Sequence, residues 1–292
     1  MTGEDFDLQL PSGRLHLRRF GSAEAPLALC VPGISANLCG FDYLGERLGG
    51  AALQVVAVDL RGRGLSEVTP PGTYGPKSHA TDLLAIADAL GADRFSLIGQ
   101  SSGALISMLV ARQAGDRVER VALLDLCGAP DDASVVPVEA AIQRLDAVFP
   151  SVDGYIELFR SRGVISDWSE YWERYLRYEL KPVEGGVRAR SEYTAVWEDH
   201  CWHKGMLTFG DDSAIYRLWQ YLTMPVLLLY AQREIIPGFG YITPPREWER
   251  FPAEVPTARA VGVDANHYEI STHDSSARAM ADFFQVAVTA GR

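Results

Sequence analysis

The sequence predicts an α/β protein: a mostly parallel sheet with helices on both faces and a helical segment inserted part-way along the chain. Three observations predict it. First, short apolar runs that stop at turn residues, LALCVPG (27–33), LQVVAVDL (53–60), FSLIG (95–99) and VERVALLDL (118–126), alternate with stretches of helical periodicity. Strands spaced by helices of that length pair in parallel and are covered on both sides. Second, this rhythm stops near residue 129 and resumes with MPVLLLY at 224–230. Third, all six tryptophans fall between 168 and 248, mostly within the interruption.

Element by element, FDLQL and LHLRRF flank a turn-like Pro-Ser-Gly and read as an antiparallel hairpin. Leu83, Ile86, Ala87 and Leu90 recur at helical spacing within 77–91. FSLIG is followed directly by a helical run from residue 102. TARAVGV (257–263) is a last strand, and a terminal helix is expected around 275–288. The expected division is a core domain of 1–128 and 221–292, with a helical cap of 129–220. Boundaries read this way are soft by several residues.

The 292 residues suit one core domain with an insertion. Hydrophobic content of 47% and charged content of 22% are those of a globular chain. Lys and Arg total 27 against 38 Asp and Glu, a net charge of −11 without a cationic cluster, which argues against nucleic acid as a partner. Cys30, Cys39, Cys127 and Cys201 are far apart, as expected of free, mostly buried thiols in a reducing compartment. MTGEDFDLQL is acidic and has no signal-peptide pattern, and no apolar run reaches the roughly 18–20 residues that span a bilayer. A cytoplasmic protein without membrane association is expected, with a small molecule as its partner. A homodimer is compatible with the sequence.

The most informative stretch is LIGQSSGAL (97–105). Gly99-Gln100-Ser101-Ser102-Gly103 fits G-x-S-x-G with Ser101 at the centre; centring on Ser102 would put Gln100 and Ala104 where glycines are needed. Between a strand and a helix this pattern makes a turn so sharp that the central residue is strained, and the flanking glycines keep neighbouring backbone clear. Ser101 is the candidate nucleophile. The Ser102 N–H, at a helix start, is a candidate oxyanion donor, its hydroxyl a helix-start hydrogen-bonder.

Such a serine needs a base, and His267, between the last strand and the last helix, returns to the same sheet edge. His273 reads as a capping residue, and His16 and His79 as structural or solvated. His200 and His203 in DHCWH lack a full set of metal ligands. No metal or cofactor is expected. A carboxylate must orient the base. Glu234, just past the strand at 224–230, is preferred; Asp125, at the end of VALLDL, is its rival. The second oxyanion donor is expected at Gly33-Ile34, from the Ile34 N–H.

The order VPGISAN, DLRGRGLS, GQSSG, a helical insertion, LLLYAQRE and NHYEI resembles the α/β-hydrolase superfamily from about residue 15 to 290. The resemblance implies an eight-stranded, mostly parallel sheet and two-step hydrolysis through an acyl-enzyme. Two positions depart from the pattern. Pro32-Gly33 stands where His-Gly is usual, and Ala231-Gln232-Arg233-Glu234 where G-x-x-D is usual. Some relatives take the acid from after the preceding core strand, which keeps Asp125 in play.

Within the insertion, Trp168, Tyr171, Trp172, Tyr175 and Tyr178 form one helical stripe. It packs the cap onto itself, or part of it, with Tyr193, Trp197, Trp202 and Trp219, faces Ser101. Gly33, Trp168, Trp172, Trp197 and Tyr268 are the candidate substrate-binding residues, suiting an apolar or aromatic ester, lactone or related acyl compound. The same fold and triad also fit a carbon–carbon bond hydrolase, or cofactor-free lyase or haloperoxidase chemistry. From other classes come a ligand-sensing receptor and a partner-binding protein with a fossil site.

Overall fold

The computed structural model describes residues 3–207 and 214–289, so positions 1–2, 208–213 and 290–292 of the expected domains lie outside the described residues. The apolar runs become strands because they are buried on both faces: every residue of β3 (Leu27–Val31), β4 (Gln54–Val58) and β5 (Phe95–Gln100) is inside. Side chains alternate across the sheet. Leu29, Val31, Leu97, Leu123 and Leu228 feed one hydrophobic cluster, and Cys30, Ile98, Ala122, Leu124 and Leu227 the other.

With β1 (Glu4–Leu10), β2 (Gly13–Phe20), β6 (Val118–Leu124), β9 (Val226–Ala231) and β10 (Ala258–Val263), these strands form one eight-stranded sheet in the order β1-β2-β4-β3-β5-β6-β9-β10. β1 and β2 pair antiparallel, as do β2 and β4; the rest of the sheet is parallel. α2 (Pro76–Ala89) and α3 (Ser102–Ala114) cover one face through Leu83, Ile86, Leu105 and Met108. α1 (Asp42–Leu48) and α10 (Asp274–Phe284) cover the other through Leu44, Leu48, Met280 and Phe284. α1 and α9 (Pro245–Glu254) are helices that no apolar periodicity in the sequence announced.

Between β6 and β9 the chain leaves the sheet as α4 (Val135–Gln143), α5 (Val152–Arg162), α6 (Glu170–Glu179), α7 (Tyr193–Leu207) and α8 (Ala214–Leu218). This mostly helical segment also holds one pair of strands that no signal in the sequence announced. A small antiparallel hairpin, β7 (Leu180–Val183) with β8 (Gly186–Ala189), turns through Gly185 at φ 83°. Beyond it, Ile215, Leu218 and Trp219 join the main core cluster, so the last part of the expected cap packs on the sheet domain.

The chain order reverses around β3, which lies between β4 and β5. The crevice at the carboxyl ends of the strands beside such a switch point is where α/β sheets place ligands. Val31 aligns with Gly99, and Gln100 with Leu124, so β3, β5 and β6 end side by side there. Two glycines let α3 leave this edge so sharply. A Cβ on Gly103 would lie 2.0 Å from the Val31 carbonyl oxygen, and one on Gly99 2.3 Å from the Gly103 oxygen. Gly103→Ala is therefore expected to destabilise the protein by about 3 kcal/mol, at the upper end of overpacking costs, in urea-unfolding measurements.

Candidate active site

Ser101 sits between β5 and α3 at φ 54° and ψ −123°, a left-handed conformation rare for a residue with a side chain. Its N–H donates to the Leu124 oxygen at 2.8 Å, and its carbonyl accepts from Ala104 at 2.8 Å. Backbone contacts on both sides thus impose the strained turn. Ser102 starts α3.

His267 follows β10, in a loop tied down at several points. The Asn266 side chain accepts from the N–H groups of Tyr268 and Glu269, and the Glu269 carboxylate accepts from the N–H groups of Ser166 and Asp167 and the Ser166 hydroxyl. The His267 Nδ1 lies 2.8 Å from the Asp125 Oδ2. Asp125 is fully buried at φ 52°, just past β6, and its Oδ1 accepts from the Ala231 N–H at 3.0 Å. A carboxylate beside Nδ1 makes that nitrogen the donor and leaves the Nε2 lone pair free to take a proton.

The preference for Glu234 is corrected by this geometry. Its carboxylate turns back into its own loop and accepts from the N–H groups of Gly238 at 2.6 Å and Gly240 at 3.2 Å. Those donors lie four and six residues along the chain, so the Glu234 carboxylate is satisfied within its own loop.

Gly33 and Ile34 pass directly beside the serine: a Cβ on Gly33 would stand 3.4 Å from the Ser101 Cβ. Among the described residues, the N–H groups of Ile34 and Ser102 donate to no partner, so both remain available to an oxyanion. Ser101, His267, Gly33 and Ile34 open on one cavity of about 630 Å³, roofed by α4, by Phe159 and Ile165, and by Trp172, Tyr175 and Leu176 of α6. Of the expected substrate-binding residues, Gly33, Trp172 and Tyr268 line it. Trp168 and Trp197 are not among its lining. Trp168 precedes α6 and lies against the Arg160 guanidinium; Trp197 is 37% exposed and stacks on Tyr193. The rest of the stripe divides: Tyr171 packs edge-on against Tyr43 of α1, and the Tyr178 hydroxyl donates to Asp59.

A family model described as the alpha/beta hydrolase fold matches residues 26–274. The chain belongs to this family. Among curated relatives, it is 38% identical over 112 residues to the N-formylmaleamate deformylase of Pseudomonas putida, a match covering 38% of this chain and 41% of that protein. It is 26% identical over 184 residues to the 2-(acetamidomethylene)succinate hydrolase of Mesorhizobium japonicum, covering 63% of this chain and 65% of that one. The chain therefore spans less than two thirds of either relative. The crystal structure of an E-2-(acetamidomethylene)succinate hydrolase superposes with a TM-score of 0.84 over 97% of this chain and 100% of that one, at 22% identity, a likeness of fold.

Three features of this α/β hydrolase were not read from the sequence. Arg144, in the turn after α4, brings a guanidinium to a mostly apolar cavity wall that also holds Gln143, Arg162 and Glu179, and nothing periodic marks it. It stacks over Phe159, its Nε donates weakly to the Tyr155 hydroxyl at 3.4 Å, and among the described residues it forms no ion pair. Glu179, also on the cavity, is within electrostatic reach; burial raises its carboxyl above the ordinary range, opposed by Arg144. Trp172 is 8% exposed, and among the described residues its buried Nε1–H has no partner. Finally, the Ser102 hydroxyl does not serve its own helix: it bonds His203 of α7 at 2.7 Å. His200 pairs with Glu139 at 3.0 Å, so DHCWH ties the cap to its surroundings. Among the described residues no cluster of His, Cys, Asp or Glu has the makings of a metal site, and no helix is long and apolar enough to cross a membrane. Cys30, Cys39 and Cys127 are buried thiols, and Cys201 is exposed.

Proposed function

We propose that the chain is a serine hydrolase that cleaves a small ester or amide carrying a carboxylate, through an acyl-enzyme. The observation that carries this reading is the alignment of His267 by Asp125 at 2.8 Å, on a cavity that also holds the strained Ser101. The Ser101 oxygen attacks the substrate carbonyl as His267 Nε2 takes its proton. The developing oxyanion lies between the N–H groups of Ile34 and Ser102. Such donors are each worth roughly 3 kcal/mol when one is removed. His267 then protonates the departing alcohol or amine, leaving Ser101 acylated. Water repeats the sequence, giving the acid and the free serine.

The carboxylate belongs to this reading because Arg144, on the cavity, forms no ion pair among the described residues, its one hydrogen bond being the long one to the Tyr155 hydroxyl. A substrate carboxylate set against the Arg144 guanidinium would meet a charged donor, with apolar side chains such as Ile34, Val138 and Ile165 covering the rest. Relatives named as a deformylase of N-formylmaleamate and a hydrolase of 2-(acetamidomethylene)succinate support it, each name describing an acylated nitrogen on a carboxylic acid.

A matched pair of esters tests this. Mono-p-nitrophenyl succinate carries a carboxylate where p-nitrophenyl butyrate carries a methyl. The succinate ester is expected to have the higher kcat/KM, and Arg144→Gln to lower that value by roughly 10- to 100-fold, as for loss of a charged hydrogen bond. The butyrate ester should change by less than about threefold. Equal treatment of both esters by the wild type would remove the carboxylate from the proposal, and release of nitrophenol from neither would count against the hydrolase reading.

A further inference from the structure

We propose that His203 and Asp199, both on cap helix α7, are positioning residues for the two backbone donors of the oxyanion site, Ser102 and Ile34. The inference rests on the reading of Ser101 as nucleophile. Its starting point is that one buried polar network reaches both donor residues from a single turn of α7.

The first branch runs through His203. Its Nδ1 lies 2.6 Å from the Asp199 carbonyl oxygen, which can only accept, so Nδ1 carries the proton. Burial lowers the imidazole pKa, keeping the ring neutral. Nε2 therefore presents a lone pair, and the Ser102 hydroxyl donates to it at 2.7 Å. Both residues are about 5% exposed, too deep to meet substrate. The bond holds the first residue of α3, the one whose N–H the proposed reaction uses.

The second branch runs through Asp199. Its carboxylate binds the Arg63 guanidinium, the His79 Nε2 at 2.7 Å and the Gly75 N–H at 2.5 Å. Burial would raise the carboxyl pKa, but Arg63 and His79 outweigh it and keep the group ionised. Arg63 is fully buried and donates from Nε and Nη2 to the Ile34 oxygen at 3.2 and 3.0 Å, and from Nη1 to the Arg61 oxygen at 3.0 Å. The peptide following Ile34 is thus clamped, which sets the direction of the Ile34 N–H one peptide earlier.

A network whose purpose was only to dock the cap could have been apolar, since buried ion pairs add little net stability over well-packed hydrophobic residues. This one instead engages the Ser102 hydroxyl and the Ile34 carbonyl, the polar atoms of the two donor residues that the reaction leaves unused. It makes α7 a fixed part of the oxyanion site.

The rate of labelling by a fluorophosphonate reads this without knowledge of the natural substrate, because its phosphoryl oxygen develops charge at the same donors. His203→Ala is expected to lower the maximal labelling rate by roughly 10- to 100-fold while the half-saturating reagent concentration moves less than about twofold, since a misaimed donor costs less than the 10²–10³-fold of a deleted one. His203→Gln, whose carbonyl can accept from Ser102, should recover to within about threefold of wild type. Ser102→Ala breaks the same bond without altering the cap; it should match His203→Ala, and the double variant should lose no more than either alone. An unchanged labelling rate in His203→Ala or in Ser102→Ala, failure of glutamine to rescue, or multiplying losses in the double variant would each overturn the proposal. Wild-type protein that is not labelled at Ser101 would instead overturn the hydrolase reading on which it rests.

Discussion

Ser101→Ala is expected to lower turnover by about 10⁴- to 10⁶-fold and to leave the melting temperature unchanged. The size of the loss follows from removing the nucleophile of a group of residues that act as a unit; what survives is binding and the oxyanion donors. The unchanged stability follows from the turn. Alanine keeps the Cβ, so the cost of holding a side chain at φ 54° is the same before and after. Ser101→Gly makes the argument sharper. It should be equally inactive yet more stable by about 1 kcal/mol, because glycine carries no penalty at positive φ. Steady-state assays with p-nitrophenyl esters and thermal unfolding of the three proteins measure both effects. A Ser101→Ala protein that is folded and active would end the nucleophile assignment.

Asp125→Asn should lower kcat by roughly 10³- to 10⁴-fold, while Glu234→Gln stays within about threefold of wild type. The asparagine is nearly the same size, so the buried pocket is kept. Its carbonyl oxygen can still accept the Ala231 N–H that now donates to Asp125 Oδ1 at 3.0 Å. The amide then faces the His267 Nδ1, now 2.8 Å from Oδ2, with a donor in place of an acceptor. The imidazole is driven to the tautomer that carries its proton on Nε2, where it has nothing to offer the serine. Glu234→Gln instead weakens the hydrogen bonds from Gly238 and Gly240, an effect on the loop of about 1 kcal/mol in stability. Equal activity losses in the two variants, with both folded, would contradict this division.

How much of this was legible in the sequence depends on the range of the forces that decide it. The candidate nucleophile Ser101, the candidate donors Ile34 and Ser102, and the position of His267 were read from local patterns: glycines spaced around a strand-to-helix turn, a Pro-Gly after a buried strand, a loop between the last strand and helix. Which carboxylate stands beside His267 was not legible, because Asp125 and Glu234 follow the neighbouring strands β6 and β9, and their chemistry is alike. The choice between them is made by backbone direction. Asp125 at φ 52° turns its carboxylate toward Ala231 and His267, whereas Glu234 finds two N–H groups within its own turn. Neither fact has a sequence period. The cap was harder still. Its helices were visible, but the hairpin around Gly185 was hidden among aromatic, helix-favouring residues, and the stripe on α6 splits between cavity, core and Asp59 according to tertiary contacts. Arg144 meets Tyr155, 11 residues on, and His203 meets Ser102, 101 residues back, so neither contact shows before the chain is folded.

The most direct test of the catalytic account is the site of covalent modification. Wild-type protein treated with a fluorophosphonate, digested and mapped by tandem mass spectrometry should carry one adduct per chain, on Ser101 of the GQSSG segment, and His267→Ala protein should be labelled far more slowly. An adduct on Ser102, on another residue, or on none would contradict it.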